Sequence, residues 1–131
     1  MSHHSRGALD PTLDREAYVR RLLESYRRTP TTAGRIRPAD RRLAHQLYDQ
    51  RVSLDTVQAA FYLAAARRIF RDFQAPPLAP IQSLHYFLPV LDEIRSQPID
   101  PDYISYLAWK VQNAKRELQR MREIIARRAP R

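Results

Sequence analysis

The chain has 131 residues, about one domain by length, enough to enclose a single modest core. It has no cysteine, which excludes disulfides, thiolate zinc sites and a thiol nucleophile, and fits a reducing compartment. Its 23 Lys and Arg against 14 Asp and Glu leave a formal charge of +9, a surplus that points to a polyanionic partner, nucleic acid first and anionic membrane second.

The surplus is segregated. Residues 15–42 and 110–131 each carry +6, whereas 1–14 carry −1 and 43–109 carry −2. The near-neutral middle is expected to be packed core, and the basic flanks to be the surfaces offered to a partner. The longest apolar run, AAFYLAAA at 59–66, is far short of the roughly 20 residues that span a bilayer. The first residues, MSHHSRGALDP, carry no apolar stretch of the signal-peptide type, so a soluble, cytoplasmic protein with no membrane partner is expected.

Glycine occurs only at Gly7 and Gly34, apolar residues recur at steps of three and four, and strand-like alternation is absent. This predicts an all-α fold, a compact bundle of about five helices. Residues 1–10 are expected to be disordered and 11–131 to form one helical domain.

The first helix is predicted from about Pro11 to Arg28, with Asp10 as its cap and an apolar face of Tyr18, Val19, Leu22, Leu23 and Tyr26. Arg20, Arg21, Arg27 and Arg28 fall largely off that face. A loop rich in Thr and Pro follows and carries Arg35 and Arg37. The second helix is predicted over Pro38–Arg51. Ser53 then caps a third, Leu54 to about Phe73, whose alanines let neighbours approach closely and make it the central helix. Arg67, Arg68 and Arg71 near its end suit the negative end of the helix dipole, a structural role that competes with ligand binding.

QAPPLAP at 74–80 reads as an extended connector, with a polyproline ligand as the alternative. Leu84, Phe87, Leu88, Leu91 and Ile94 then hold one helical face across Pro89. This predicts a fourth helix kinked by Pro89, or a short 3-10 turn followed by a fresh helix.

Asp100-Pro101 opens the last helix, in which Ile104, Leu107, Val111, Ala114, Leu118, Met121 and Ile125 recur in 3-4 steps over three heptads. Its first half is expected to pack on the third and fourth helices. Residues 115–131 are expected to project as a basic extension or to lie along the first helix. On the opposite face Trp109, Asn113, Arg116, Arg120 and Arg127 share a stripe, with Tyr106 at its edge and Arg128 adjoining. An aromatic followed by arginines can stack on bases and neutralise phosphates, and the competing reading places Trp109 in the core.

Catalytic chemistry has no such support. His3, His4, His45 and His85 have no spaced partner suggesting a metal site, no glycine adjoins a lysine as a phosphate loop requires, and the carboxylates are scattered. No enzyme activity, metal or cofactor is expected.

SLDTVQAAFYLAAARR, a connector and SLHYFLPVLDEI resemble the C-terminal helical domain of DnaD-like replication initiation proteins over Val52–Arg95, and similar text occurs in proteins of bacterial mobile elements. Tyr86 and Phe87 match the family's first aromatic-apolar pair and Val90 and Leu91 its second. Ile94 stands where the family has tryptophan, and Pro89 interrupts the motif helix. The resemblance implies a bacterial, nucleoid-associated accessory module in which the last helix contacts DNA.

Composition and resemblance together predict a non-enzymatic DNA-binding accessory protein of replication or a mobile element. Arg116, Arg120, Arg127 and Arg128 are its candidate phosphate contacts, with Arg20, Arg27, Arg35 and Arg37 and a stacking Trp109. Two alternatives stay open: a protein-interaction subunit pairing with itself or a larger partner through the heptad seam, and an RNA-binding ribonucleoprotein component.

Overall fold

The first helix starts at Asp14, whose side chain accepts a hydrogen bond from the Ala17 N–H at 2.8 Å and so satisfies one of the donors a helix start leaves open. The computed structural model describes residues 13–71, 76 and 78–128; α1 begins at Arg15 behind Asp14, so the expected start at Pro11 with Asp10 as its cap falls too early, and those two residues lie outside the described ones. The elements are α1 (Arg15–Arg28), α2 (Pro38–Asp49), α3 (Leu54–Ile69), a 3-10 turn (Leu84–Phe87), α4 (Leu88–Ser96) and α5 (Pro101–Arg128). Among the described residues the fold is an all-helical bundle of five helices, the last of them long.

At the centre is α3. Ser53 caps it by accepting from Thr56 N–H at 3.1 Å, and its alanines 59, 60, 64, 65 and 66 are buried with Phe61 and Leu63. Small side chains let α1, α4 and α5 all pack against this one helix. Phe61 meets Phe87 edge-on at 4.8 Å between ring centroids, and Tyr26 meets Phe87 at 6.0 Å, so one aromatic cluster joins α1, α3 and the 3-10 turn.

Two helices end earlier than sequence periodicity suggests. The last turn of α2 closes with Gln50 as cap and Arg51 in the left-handed region at φ 60°. Arg51 N–H donates to the Tyr48 carbonyl (3.0 Å) and Val52 N–H to the Leu47 carbonyl (3.1 Å), the paired bonds of a Schellman stop. A side chain in that conformation costs free energy that glycine does not. Arg51→Gly is therefore expected to raise stability by up to about 1 kcal/mol, read from urea unfolding midpoints. At the end of α3, Arg68 donates to the Ala79 carbonyl and Arg71 to the Pro76 carbonyl (2.6 Å), tying the returning connector to the helix.

Pro89 bends its element by changing the helix type. The 3-10 turn ends with Leu88 N–H donating to the His85 carbonyl, and α4 begins at Leu88 with Pro89 in its first turn. A missing N–H is harmless there, because the first turn has no intrahelical acceptor for it. The apolar face continues across the junction: Leu84, Phe87, Leu91 and Ile94 are all buried.

The loop between α1 and α2 pairs with the connector that precedes the 3-10 turn. Ala33 N–H donates to the Ile81 carbonyl and Ile81 N–H to the Thr31 carbonyl, both at 2.8 Å. Beside this bridge Asp40, 1% exposed, accepts from Leu84 N–H through Oδ1 and from Arg37 N–H through Oδ2, each at 2.9 Å. One side chain thus fixes the starts of both α2 and the 3-10 turn.

At 28 residues α5 is about 42 Å long, and α3, its principal packing partner, has 16 residues and spans about 24 Å. The mismatch divides the heptad seam. Leu107 and Val111 are buried and Ile104 and Ala114 half-buried, while Met121 and Ile125 are exposed. Among the described residues, no helix is long and apolar enough to cross a membrane, and no group of three His, Asp or Glu is placed to hold a metal ion.

Candidate nucleic-acid interface

Both α1 and α5 pack on α3, and an open groove of about 900 Å³ lies between them. Its position follows from the helix faces. Tyr18, Leu22 and Tyr26 turn the apolar side of α1 inward, which leaves Arg20, Arg21, Glu24 and Arg28 along the flank facing α5. Leu107 and Val111 hold α5 on α3, which brings Lys115, Arg116 and Gln119 to the opposite wall. Gln58 and Tyr62 of α3 also line the groove. A second groove of about 390 Å³ shares Pro30, Lys115 and Gln119 with the first and adds Arg68 and Arg122, so the basic lining runs on along the second half of α5.

The charges in this groove are unbalanced. Glu24 is the carboxylate lining it, and Glu24 is already engaged. Arg27 donates to it through Nε (3.1 Å) and Nη2 (2.6 Å), and Arg28 Nε lies 2.6 Å from the same carboxylate. The Arg27 hydrogen bond, aided by the charges of Arg27 and Arg28, holds the Glu24 carboxyl below the usual carboxylate range. Arg20, Arg21, Lys115, Arg116 and Arg122 have no ion pair among the described residues. Four of these cations line the α1–α5 groove and Arg122 lines the adjoining one, a concentration of positive charge suited to a chain of phosphates.

The residues singled out from sequence fall into three groups. Arg20 and Arg116 meet in the groove although 96 positions separate them. Arg27 and Arg37 are occupied elsewhere: Arg27 holds Glu24, and Arg37 donates to Gln82 Oε1 at 3.2 Å. Arg35 is exposed in the α1–α2 loop, and Arg120, Arg127 and Arg128 are exposed on the outer half of α5. Trp109 is 63% exposed, so it lies on the surface and not in the core.

Arg21, Arg28 and Lys115 complete the groove and Arg122 lines the adjoining one; none of the four is among the contacts expected from sequence. A signal for two of them was present, since Arg21 and Arg28 are seven residues apart and share a helix face. The three arginines at the end of α3 have structural partners. Arg67 forms a two-bond ion pair with Glu93 of α4, one bond at 2.8 Å. Arg68 lies over the Tyr86 ring at 5.4 Å, and Arg71 holds the connector.

The motif that resembles DnaD-like proteins is mostly packing: Phe87, Leu91 and Ile94 are buried, Val90 is half-buried and Tyr86 is exposed. No protein-family model, curated protein or solved structure matches the chain.

Proposed function

We propose that the protein is a non-enzymatic DNA-binding accessory factor of replication or of a mobile genetic element, and that the groove between α1 and α5 receives the sugar-phosphate backbone. The observation that carries this reading is the convergence of Arg20, Arg21, Lys115 and Arg116 on one groove whose carboxylate is already engaged by Arg27 and Arg28. Releasing counterions from phosphates drives such binding, so affinity falls steeply with salt. The resemblance to DnaD-like proteins supports replication as the setting. Fluorescence polarisation with labelled single- and double-stranded DNA at about 50 and about 200 mM salt tests the reading. Salt-sensitive binding in the micromolar range is expected, and absence of binding at micromolar protein would sink it.

A second reading, a protein-interaction subunit, is favoured by one specific observation. Met121 and Ile125 are 55% and 64% exposed with Ile124 beside them, an apolar patch where the seam runs past α3. On this reading light scattering detects an oligomer that Met121→Glu with Ile125→Glu converts to monomer, whereas a monomeric parent protein rules out self-pairing.

A further inference from the structure

Three aromatic side chains on α5 have no part in the core. Tyr103, Tyr106 and Trp109 are 48%, 49% and 63% exposed, and Leu107 and Val111 supply the packing on α3 without them. They stand at i, i+3 and i+6, with ring centroids 6.3 and 6.4 Å apart and ring planes tilted by 31° and 30°. Neighbouring rings thus lie closer to parallel than to edge-on, with their faces turned in similar directions. We propose that this row is a platform on which bases of single-stranded DNA stack while the phosphates lie along the α1–α5 groove; the inference rests on the reading of that groove as a DNA interface.

Position and charge favour this occupant. Each step of three residues falls about 60° short of a full turn, so the row winds around α5 toward the ridge that carries Arg116 and Arg120. Trp109 and Arg116 are about 10 Å apart along the axis, and Arg116 also lines the groove. Lys110 is the one charged side chain between Tyr103 and Ala114. Its Nζ lies 4.5 Å from the Phe70 ring centroid and 5.7 Å from that of Tyr106, which holds a cation beside the row. A duplex keeps its base faces stacked on each other, so aromatic faces gain nothing from it. Unpaired bases offer those faces, and each base stacked on an aromatic ring contributes substantially to affinity.

Trp109 is the only tryptophan, so its fluorescence reports the platform directly. The probes are oligo(dT) of about 12 nucleotides, a duplex of the same length and oligo(U). Saturable quenching by oligo(dT) and little by duplex is expected. Tyr106→Ala with Trp109→Ala is expected to weaken oligo(dT) binding about 30-fold, leave duplex binding within about twofold and leave the salt slope unchanged. Trp109→Phe, which keeps a ring, is expected to restore most of the affinity.

Salt-sensitive binding of both DNAs that ignores these substitutions overturns the platform while the groove stands. No binding to any nucleic acid overturns both. Tighter binding of oligo(U) than of oligo(dT) removes DNA as the occupant, and a dimer that Trp109→Ala dissolves assigns the row to a second copy of the chain.

Discussion

Neutralising the groove by Arg20→Gln, Arg21→Gln, Lys115→Gln and Arg116→Gln together is expected to lower DNA affinity about a thousandfold near 100 mM salt. The magnitude follows from counterion release: on a single strand each lost phosphate contact removes about 0.7 unit from the slope of log K against log salt, so four remove about 2.8 units, close to a thousandfold at about 100 mM. These four side chains are exposed and without ion pairs, so the fold is expected to be unaffected, with stability changing by less than about 1 kcal/mol. A matched variant separates site from net charge. Arg41, Arg42, Arg51 and Arg95 are exposed and line neither groove, and converting them to Gln removes the same four charges. Its affinity is expected to stay within about tenfold of the parent protein, because charges outside the contact act only through a screened field. Equal losses in the two variants would mean that diffuse charge, not this groove, holds the DNA.

Asp40→Ala is expected to be among the most damaging single substitutions in the fold, at a cost of about 3 kcal/mol. The residue is almost fully buried; its Oδ1 accepts from the buried Leu84 N–H and its Oδ2 from the part-buried Arg37 N–H. Truncation removes the acceptor of both and leaves the buried Leu84 N–H unsatisfied. It also releases the register between the start of α2 and the 3-10 turn, which lie 44 residues apart at this contact. Burial, and then the charge of Asp40 against that of Arg37, pushes the Tyr26 phenol up to about 12, so Asp40 acts on the aromatic cluster as well. Thermal unfolding should show a drop in melting temperature of about 10 °C. Asp40→Asn, which still offers one acceptor, should recover part of the loss. A change below about 1 kcal/mol for Asp40→Ala would show that the loop pairing at Ala33 and Ile81 holds the junction without it.

Local chemistry in the sequence was enough to place most elements. Ser53 before Leu54 and Asp100 before Pro101 are start signals read from adjacent residues, and helical spacing alone identified the inward faces of α1 and of the Leu84–Ile94 segment. Ends were harder to read. Arg51 takes a left-handed stop that glycine would have advertised, so the close of α2 carried no compositional mark. Long-range pairing was invisible. Nothing near Asp40 in the chain announces Leu84, and nothing near Thr32 announces Ile81.

The candidate site divides along the same line. The basic flanks were legible as counts, and the stripe from Trp109 to Arg120 as a periodicity. Which arginines face a common space was not, because α1 and α5 are brought side by side by their shared packing on α3. The heptad seam shows the opposite limit. Its repeat is regular over three heptads, yet α3 is long enough to cover only the first part, so the repeat by itself does not mark where burial stops.

The slope of log K against log salt for the unmodified protein on oligo(dT) tests the central claim most directly. The five cations of the adjoining grooves that have no ion pair among the described residues predict a slope of about −3.5 on a single strand. A slope near zero, or no binding at micromolar protein, would contradict a phosphate-binding role for the groove.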